Sequence, residues 1–196
     1  MPPLDIARRL LPLVGLWMAV LAAPLAWSQE APTAEAMVST LSSLEAPSDL
    51  EVPALRQLAA DRVKSKVDAV ALKRPPVSAQ LNRLPHVNAD IQFNPDTPVI
   101  RPESYRTIGR IADALTNPAL MSSTFLIVGR MDATGRRDNN LALSQRRAEA
   151  IRDALVTTFR ISSKRLLALG LGEEQLLDAD HPKAAVNQQA MIVTVK

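Results

Sequence analysis

Asp132 and Arg147 are two charged residues whose positions would let them hold one small ligand together. Asp132 follows an apolar run that ends in Gly129, and Arg147 lies in the longer segment after Gly135. If the run is a strand and the segment a helix, the carboxylate lies at the strand tip and the guanidinium on the inner side of the helix. Such a pair suits a small zwitterion better than it suits a reaction.

Residues typical of catalytic and metal sites are scarce. His86 and His181 are far apart and have no acidic residue at metal-ligand spacing, and the chain has no cysteine. The sequence contains neither a glycine-rich phosphate loop nor a serine in a nucleophile elbow. Glu173 and Glu174 could act as general acids, but a solvated loop is the better interpretation. We therefore predict no enzymatic activity, no metal and no cofactor.

The composition favours one globular domain with additional segments. The chain has 196 residues, of which 47% are hydrophobic and only 3% aromatic, so the core is expected to be aliphatic. The formal net charge is +3, and the basic residues are interspersed with acidic ones. This balance argues against nucleic acid as a partner.

The first 28 residues have the features of a signal peptide. Arg8 and Arg9 precede an apolar stretch, and Ala26-Trp27-Ser28 offers small residues at the positions that a signal peptidase reads. We expect cleavage after Ser28. The alternative is an uncleaved leader that anchors the protein in the inner membrane. Lipid attachment through a cysteine is excluded, because there is none.

Residues 29–87 are predicted to be a flexible linker that contains one helix. The stretch 29–48 is rich in Ala, Ser, Thr and Pro, which is typical of flexible chain. An amphipathic helix is expected at about 54–72, before Pro75 and Pro76. One such helix cannot bury its own apolar face. It either packs on the following domain, pairs with another chain, or frays.

Residues 88–196 alternate between strand and helix patterns. The order β-α-β-α-β-β predicts an α+β domain with helices packed on one mixed sheet, and a parallel crossover between the first two strands. The run at 124–128 is continuously apolar, which is typical of a central strand covered on both faces. The predicted strands are 87–93, 124–128, 165–169 and 190–195, and the predicted helices are 101–117 and 138–159.

This C-terminal half resembles the OmpA-like C-terminal domain family, the peptidoglycan-binding module of Gram-negative envelope proteins. The family pattern is G-H-T-D-x-x-G, then an Asn, then L-S-x-x-R-A. Segments IQFNPDTPVIRPES and RLLALGLGEE extend the resemblance upstream and downstream. The residues at the family's offsets are Gly129, Asp132, Gly135, Asn140, Leu143, Ser144, Arg147 and Ala148.

The resemblance implies a site for the diaminopimelate residue of the peptidoglycan stem peptide. Asp132 would take the ligand's ammonium, and Arg147 its carboxylate, beside the N-terminus of the 138–159 helix. Asn140 would bond either the ligand or the loop, and Gly135 and Ser144 complete the candidate set. The alternative is that Asp132 caps the next turn and Arg147 merely pairs with it.

Several positions depart from the family pattern. Arg130-Met131 replaces His-Thr, Asn139 replaces an aromatic residue, and Gln188-Gln189 replaces two arginines. Each lost charged hydrogen bond costs about 1.5–3 kcal/mol if it was well made. The departures leave open whether ligand binding survives.

Two functions follow from these patterns. The first is a periplasmic, peptidoglycan-associated binding protein, expected to use Asp132 and Arg147. The second is a structural or interaction module that kept the fold but binds peptidoglycan weakly or not at all, with the 54–72 helix as a surface for another envelope protein. Arg136 and Arg137 are predicted to be solvated loop residues.

Overall fold

The computed structural model describes residues 32–43, 50–65 and 75–195. The predicted signal peptide and the end of the predicted 54–72 helix lie outside these residues. Within the described ranges, no helix combines the length and apolarity needed to cross a membrane. The elements are α1 Ala34–Leu41, α2 Val52–Ser65, β1 His86–Ala89, α3 Tyr105–Leu115, β2 Phe125–Arg130, α4 Arg137–Thr157, β3 Leu166–Gly172 and β4 Ala190–Thr194.

The four strands form one mixed sheet in the order β1-β4-β2-β3. β2 pairs with β3 in parallel, whereas β4 is antiparallel to both β1 and β2. β1 and β2 therefore run in the same direction, as predicted, but β4 lies between them. The neighbouring parallel pair is β2 and β3, which α4 connects. The predicted α+β fold with helices on one mixed sheet is confirmed.

Both faces of the central strand β2 are covered, as its apolar sequence predicts. Phe125 and Ile127 lie in the larger core cluster, with buried residues of α1, α3 and α4. Leu126 and Val128 lie in a second cluster that includes Ala59 of α2. Because successive side chains of a strand point to opposite faces, this one strand connects both halves of the core.

α1 lies in a stretch that composition predicts to be flexible, and for residues 34–41 that prediction is wrong. The Thr33 hydroxyl accepts a hydrogen bond from the Ala36 N–H at 3.3 Å and caps the helix. Met37 and Leu41 are fully buried in the main core cluster. Thr194 Oγ1 of β4 donates to the Leu41 carbonyl oxygen at 2.8 Å. Tertiary burial outweighs the weak local pattern, and the packed domain includes residues before 88.

α2 packs on the same domain, which is one of the three alternatives that the sequence leaves open. Ala59 is fully buried on that side. Arg56 Nη2 donates to the carbonyl oxygen of Ala168 in the edge strand β3 at 3.1 Å. Arg62 Nη1 donates to the Pro75 carbonyl oxygen at 2.8 Å. The helix thereby covers part of an otherwise open sheet edge.

β1 is shorter than the predicted strand at 87–93. Its pairing with β4 ends at Ala89, opposite Ala190, the first residue of β4. Beyond that point the Gln92 N–H donates to Ser104 Oγ at 2.8 Å instead of to a strand. Phe93 then forms an isolated bridge with Ile100, which encloses the turn at 94–99.

Two glycines let α4 lie directly on the backbone of β2 and β3. A Cβ atom at Gly129 would lie 2.2 Å from the Ser144 carbonyl oxygen, and one at Gly170 would lie 2.1 Å from the Gln145 nitrogen. Neither position can accommodate a side chain unless the helix moves. This close contact fixes the distance between the tip of β2, where Asp132 follows, and the face of α4 that carries Arg147.

Candidate functional site

Arg147 is a largely buried cation on the inner face of α4, with 8% of its surface exposed. Its Nε donates to the Thr97 carbonyl oxygen at 3.1 Å, and its Nη1 donates to Met131 Sδ at 3.2 Å. The guanidinium carbon lies 4.7 Å from the centre of the Phe93 ring. Burial lowers the pKa of Arg147, and the charges of Asp96 and Asp132 oppose that shift. These contacts hold the guanidinium in one orientation.

The two carboxylate oxygens of Asp132 have different partners. Oδ1 accepts hydrogen bonds from the Thr134 N–H at 3.2 Å and from the Thr134 hydroxyl. Oδ2 accepts one from Gln188 Nε2 at 2.8 Å. Asp132 therefore caps its own turn through Oδ1, as the alternative interpretation holds, while Oδ2 points to a different part of the chain.

Gln188 connects the acidic and the basic residue. Its Nε2 donates to Asp132, and its Oε1 accepts from Arg147 Nη1 at 3.4 Å. The structure thus brings Asp132 and Arg147 to one place, with an amide group between them. By the family pattern alone, Gln188 is only the loss of a guanidinium.

Gly135 and Asn140 shape the loop that carries Asp132. Gly135 has a φ of 82°, a left-handed conformation that other residues rarely adopt. Asn140 Nδ2 lies within hydrogen-bond distance of the carbonyl oxygens of Asp132, at 3.2 Å, and Thr134, at 2.9 Å. It also donates to Glu173 Oε2 at 2.8 Å. Of the two roles left open for Asn140, the structure shows the bond to the loop.

The Ser144 side chain of α4 points toward β3, and like Asp132 it is not among the residues that line the cleft described below. It is fully buried, its hydroxyl donates to the Leu141 carbonyl oxygen at 2.8 Å, and it accepts from the Gly172 N–H at 2.8 Å. Of the predicted ligand residues, Ser144 is therefore the one whose contacts serve the packing of α4 on the sheet.

A buried charged cluster lies beneath the loop, where the sequence predicted solvated residues. Glu173 and Glu174 are only 4% and 2% exposed. Arg137 donates to Glu174 Oε1 from Nη2 at 2.7 Å and from Nε at 2.9 Å. The prediction of solvated surface is wrong for these three residues. β3 continues to Gly172 and brings the two glutamates under the N-terminus of α4, where a buried cation offsets their charge.

Arg136 is exposed, as predicted, and pairs with Asp138 at 2.7 Å. This pairing lowers the pKa of Asp138 to about 2.

Arg130, which replaces the family's histidine, is 2% exposed and donates to the Gln189 carbonyl oxygen at 3.0 Å and to Asn88 Oδ1 at 2.6 Å. Burial lowers the pKa of Arg130 to about 10. Its contacts join β2 to β1 and to the residue that precedes β4.

The loop at 178–182 supports the Asp132 loop from the other side. Asn187 is fully buried and accepts from the Asp178 N–H at 2.7 Å through Oδ1. Its Nδ2 donates to the His181 carbonyl oxygen at 2.9 Å. The Ala133 N–H then donates to the Pro182 carbonyl oxygen at 2.8 Å. These bonds join the loop after β2 to the segment that carries Gln188.

Arg147, Gln188 and the loop after Asp132 surround a cleft of about 670 Å³. Asp132 is 5% exposed and is not among the lining residues, but its carboxylate bonds Thr134 and Gln188, which do line the cleft. Arg136, Arg146 and Arg147 contribute positive charge to its lining, and Asp96 contributes negative charge. Asp96 occupies the left-handed region with a φ of 55°, at the tip of the turn at 94–99. The other lining residues are Pro95, Met131, Thr134, Gly135, Asn139, Asn140, Leu143 and Gln188.

Asp96, Thr134, Arg146 and Gln188 were not predicted as site residues. They come from three separate parts of the sequence. Asp96 and Gln188 are distant from β2 and α4 along the chain, so no local sequence pattern connects them with Asp132 and Arg147. Thr134 could have been found, because an Asp in a turn commonly accepts a hydrogen bond from the backbone N–H two residues later. Arg146 adjoins Arg147, but its approach to the cleft depends on how α4 lies on the sheet.

Comparison with known proteins relates the chain to a family. The model of the OmpA family matches residues 92–190, just over half of the chain. Outer membrane porin F of Pseudomonas aeruginosa is 34% identical over 89 residues, which cover 45% of this chain and 25% of that protein. The peptidoglycan-associated lipoprotein of Brucella melitensis is 32% identical over 110 residues, which cover 56% of this chain and 64% of that protein. The chain thus spans between a quarter and two thirds of these curated relatives.

Solved structures of similar domains are also found. The crystal structure of the peptidoglycan-associated lipoprotein from Burkholderia pseudomallei is 29% identical, with a TM-score of 0.43, and the match covers 56% of this chain and 88% of that one. The cell wall anchor of the T6SS from Pseudomonas aeruginosa is 22% identical, with a TM-score of 0.46, and the match covers 74% of this chain and all of that one. By the family match over half its length, the chain belongs to the OmpA family.

Proposed function

We propose that this protein is a non-covalent peptidoglycan-binding protein of the cell envelope and not an enzyme. Its membership of the OmpA family supports this, together with its likeness to relatives named for their association with peptidoglycan. The cleft beside α4 is the proposed binding site. Its polar, mixed-charge lining suits a ligand that carries both ammonium and carboxylate groups.

The proposed ligand group is the diaminopimelate of the stem peptide. The single observation that supports this best is the link from Asp132 through Gln188 to Arg147. The amide offers a donor to the carboxylate and an acceptor to the guanidinium. The free amino-acid end of diaminopimelate would make the same two contacts with fully charged groups. Its ammonium would donate to Asp132, and its carboxylate would accept from Arg147. Charge-assisted bonds of this kind are stronger than neutral ones.

The rim of the cleft suits the rest of a stem peptide. Arg146 and Arg136 line the same cleft as Arg147, and stem peptides carry further carboxylates. Asp96, on the opposite turn, offers a second acceptor for an ammonium group. Asn140, Gly135 and Ser144 would act indirectly, by holding the loop and α4 in place.

We further propose that the protein is periplasmic, with its leader cleaved after Ser28. The leader pattern and the family support this location. Sequencing the mature N-terminus tests it. A chain that begins at Gln29 is expected, whereas an intact leader would favour the alternative of an inner-membrane anchor.

Sedimentation with purified sacculi tests the binding site directly. Asp132→Ala and Arg147→Ala should each lower the affinity about 10- to 100-fold, because each removes one charge-assisted contact. Matched controls are Asp153→Ala and Arg152→Ala, an exposed pair further along α4, which should bind like the wild type. If the site variants sediment as well as the controls, the proposed site is wrong.

One observation favours a second candidate, a structural or interaction module. Both carboxylate oxygens of Asp132 already have partners within the chain, in Thr134 and Gln188. If these contacts persist in solution, a ligand gains little there. Failure of the wild-type protein to sediment with sacculi, together with recovery of one stable envelope protein partner, would favour this candidate.

A further inference from the structure

We propose that Gln188 competes with the ligand for Asp132 and Arg147 and so sets the affinity of the site. This inference rests on the proposed function, because it concerns the same cleft. Gln188 stands at a position where the chain departs from the family pattern, and the inference gives it a role that the proposed function does not. Gln188 would have to release both charged groups before a zwitterion could take them.

The contacts of Gln188 define what a ligand must replace. Its Nε2 lies 2.8 Å from Asp132 Oδ2, a well-formed hydrogen bond. Its Oε1 lies 3.4 Å from Arg147 Nη1, at the long end of the range. Asp132 Oδ1 is held by Thr134, so Oδ2 is the oxygen that a ligand ammonium would contact. The amide therefore occupies the acceptor that binding requires.

The location of Gln188 allows it to move without disturbing the fold. It is an exposed residue that lines the cleft, at the end of the short 3-10 helix Ala185–Gln188. The same helix is held at Asn187, which is fully buried and bonded to the 178–182 loop. The backbone is thus fixed one residue earlier, and rotation of the Gln188 side chain alone frees Asp132 Oδ2 and ends the contact with Arg147 Nη1.

The exchange favours a fully charged ligand. An ammonium at Asp132 and a carboxylate at Arg147 replace two neutral-to-charged bonds with two bonds between opposite charges. The wild-type site nevertheless loses the Gln188 contacts each time it binds. Its affinity is therefore lower than that of a site from which the amide has been removed.

Isothermal titration with free meso-diaminopimelate, and with a muramyl tripeptide that ends in it, tests the inference. Gln188→Ala should bind both about 5- to 30-fold more tightly than the wild type, because the competing bonds are gone. Gln189→Ala is the matched control and should bind like the wild type, since the described hydrogen bonds of Gln189 use its backbone N–H and carbonyl groups. Equal or weaker binding by Gln188→Ala would overturn the competing role.

The same titration separates this inference from the proposed function. If the wild type binds, Asp132→Ala does not, and Gln188→Ala gains nothing, the function stands and the inference fails. If only Gln188→Ala binds, the inference is supported in its strongest form. If no variant binds either probe, both are wrong.

Side-chain amide NMR gives a readout that does not depend on affinity. In the free protein the Gln188 Nε2 hydrogens should exchange with solvent more slowly than those of Gln189. Addition of muramyl tripeptide should remove that difference, because the amide is released from Asp132. Slow exchange that persists with saturating ligand would show that Gln188 stays in place, and would overturn the proposal.

Discussion

Asn140 holds the loop that carries Asp132. Its Nδ2 is close to two carbonyl oxygens of that loop and to the buried Glu173 carboxylate. Because Asn140 is 6% exposed, water cannot easily replace these bonds. The amide thus joins the loop to the charged cluster formed by Arg137, Glu173 and Glu174.

Asn140→Ala should lower the free energy of unfolding by about 1–3 kcal/mol, because it leaves buried acceptors without this donor. Urea unfolding of the two proteins measures the difference. Asn139→Ala serves as the control, since the described hydrogen bond of Asn139 uses its backbone N–H. It should change the stability by less than about 0.5 kcal/mol. Equal stability of both variants would show that Asn140 does not hold the loop.

α4 is the element that brings the binding residues together. It lies directly on the backbone of β2 and β3 at Gly129 and Gly170, and the Ser144 hydroxyl accepts from the Gly172 N–H at 2.8 Å. Arg147 follows Ser144 by almost one helical turn, so its position depends on this packing. The function predicted for Arg147 therefore depends on glycines in two strands.

Gly129→Ala should destabilise the fold by on the order of 3 kcal/mol, the upper end of the usual cost of overpacking. Its new Cβ would lie 2.2 Å from the Ser144 carbonyl oxygen, which is backbone and cannot rotate away. Gly109→Ala in α3 is the matched control. Its Cβ would meet only the Phe159 ring at 3.5 Å, and alanine favours helix, so this variant should be about as stable as the wild type or more stable. Thermal unfolding compares the two, and equal losses would contradict the packing argument.

At the scale of the whole molecule, α1 and α2, which precede residue 88, are part of the folded domain. α1 packs in the main core cluster through Met37 and Leu41, and α2 covers the edge strand β3. The apolar side of α2 is therefore used within the chain, which leaves it less available to another envelope protein. Its exposed large apolar residue is Leu58, at 43%.

Leu41→Ala should lower the free energy of unfolding by about 2–5 kcal/mol, since Leu41 is 1% exposed and its removal leaves a cavity. Leu58→Ala, on the exposed side of α2, is the control and should cost much less. Chemical denaturation measures both. If Leu41→Ala lowers the free energy of unfolding no more than Leu58→Ala does, the packing of α1 does not stabilise the core.

The sequence alone determined the strand, loop and helix that carry Asp132 and Arg147. Local periodicity and the glycine offsets were sufficient, because they depend on neighbouring residues. The strand at 124–128 and the helix at 138–159 agree with β2 and α4 within a few residues. The order of elements also predicted the α+β class.

Only the tertiary structure decided how these side chains are used. Gln188 lies between Asp132 and Arg147 because β4 enters the sheet beside β2 and the segment before it meets the cleft. Glu173 and Glu174 are buried because β3 carries them under α4, and α1 is a helix because the core covers it. Each outcome depends on contacts between residues that are distant in sequence, and no local pattern records such contacts.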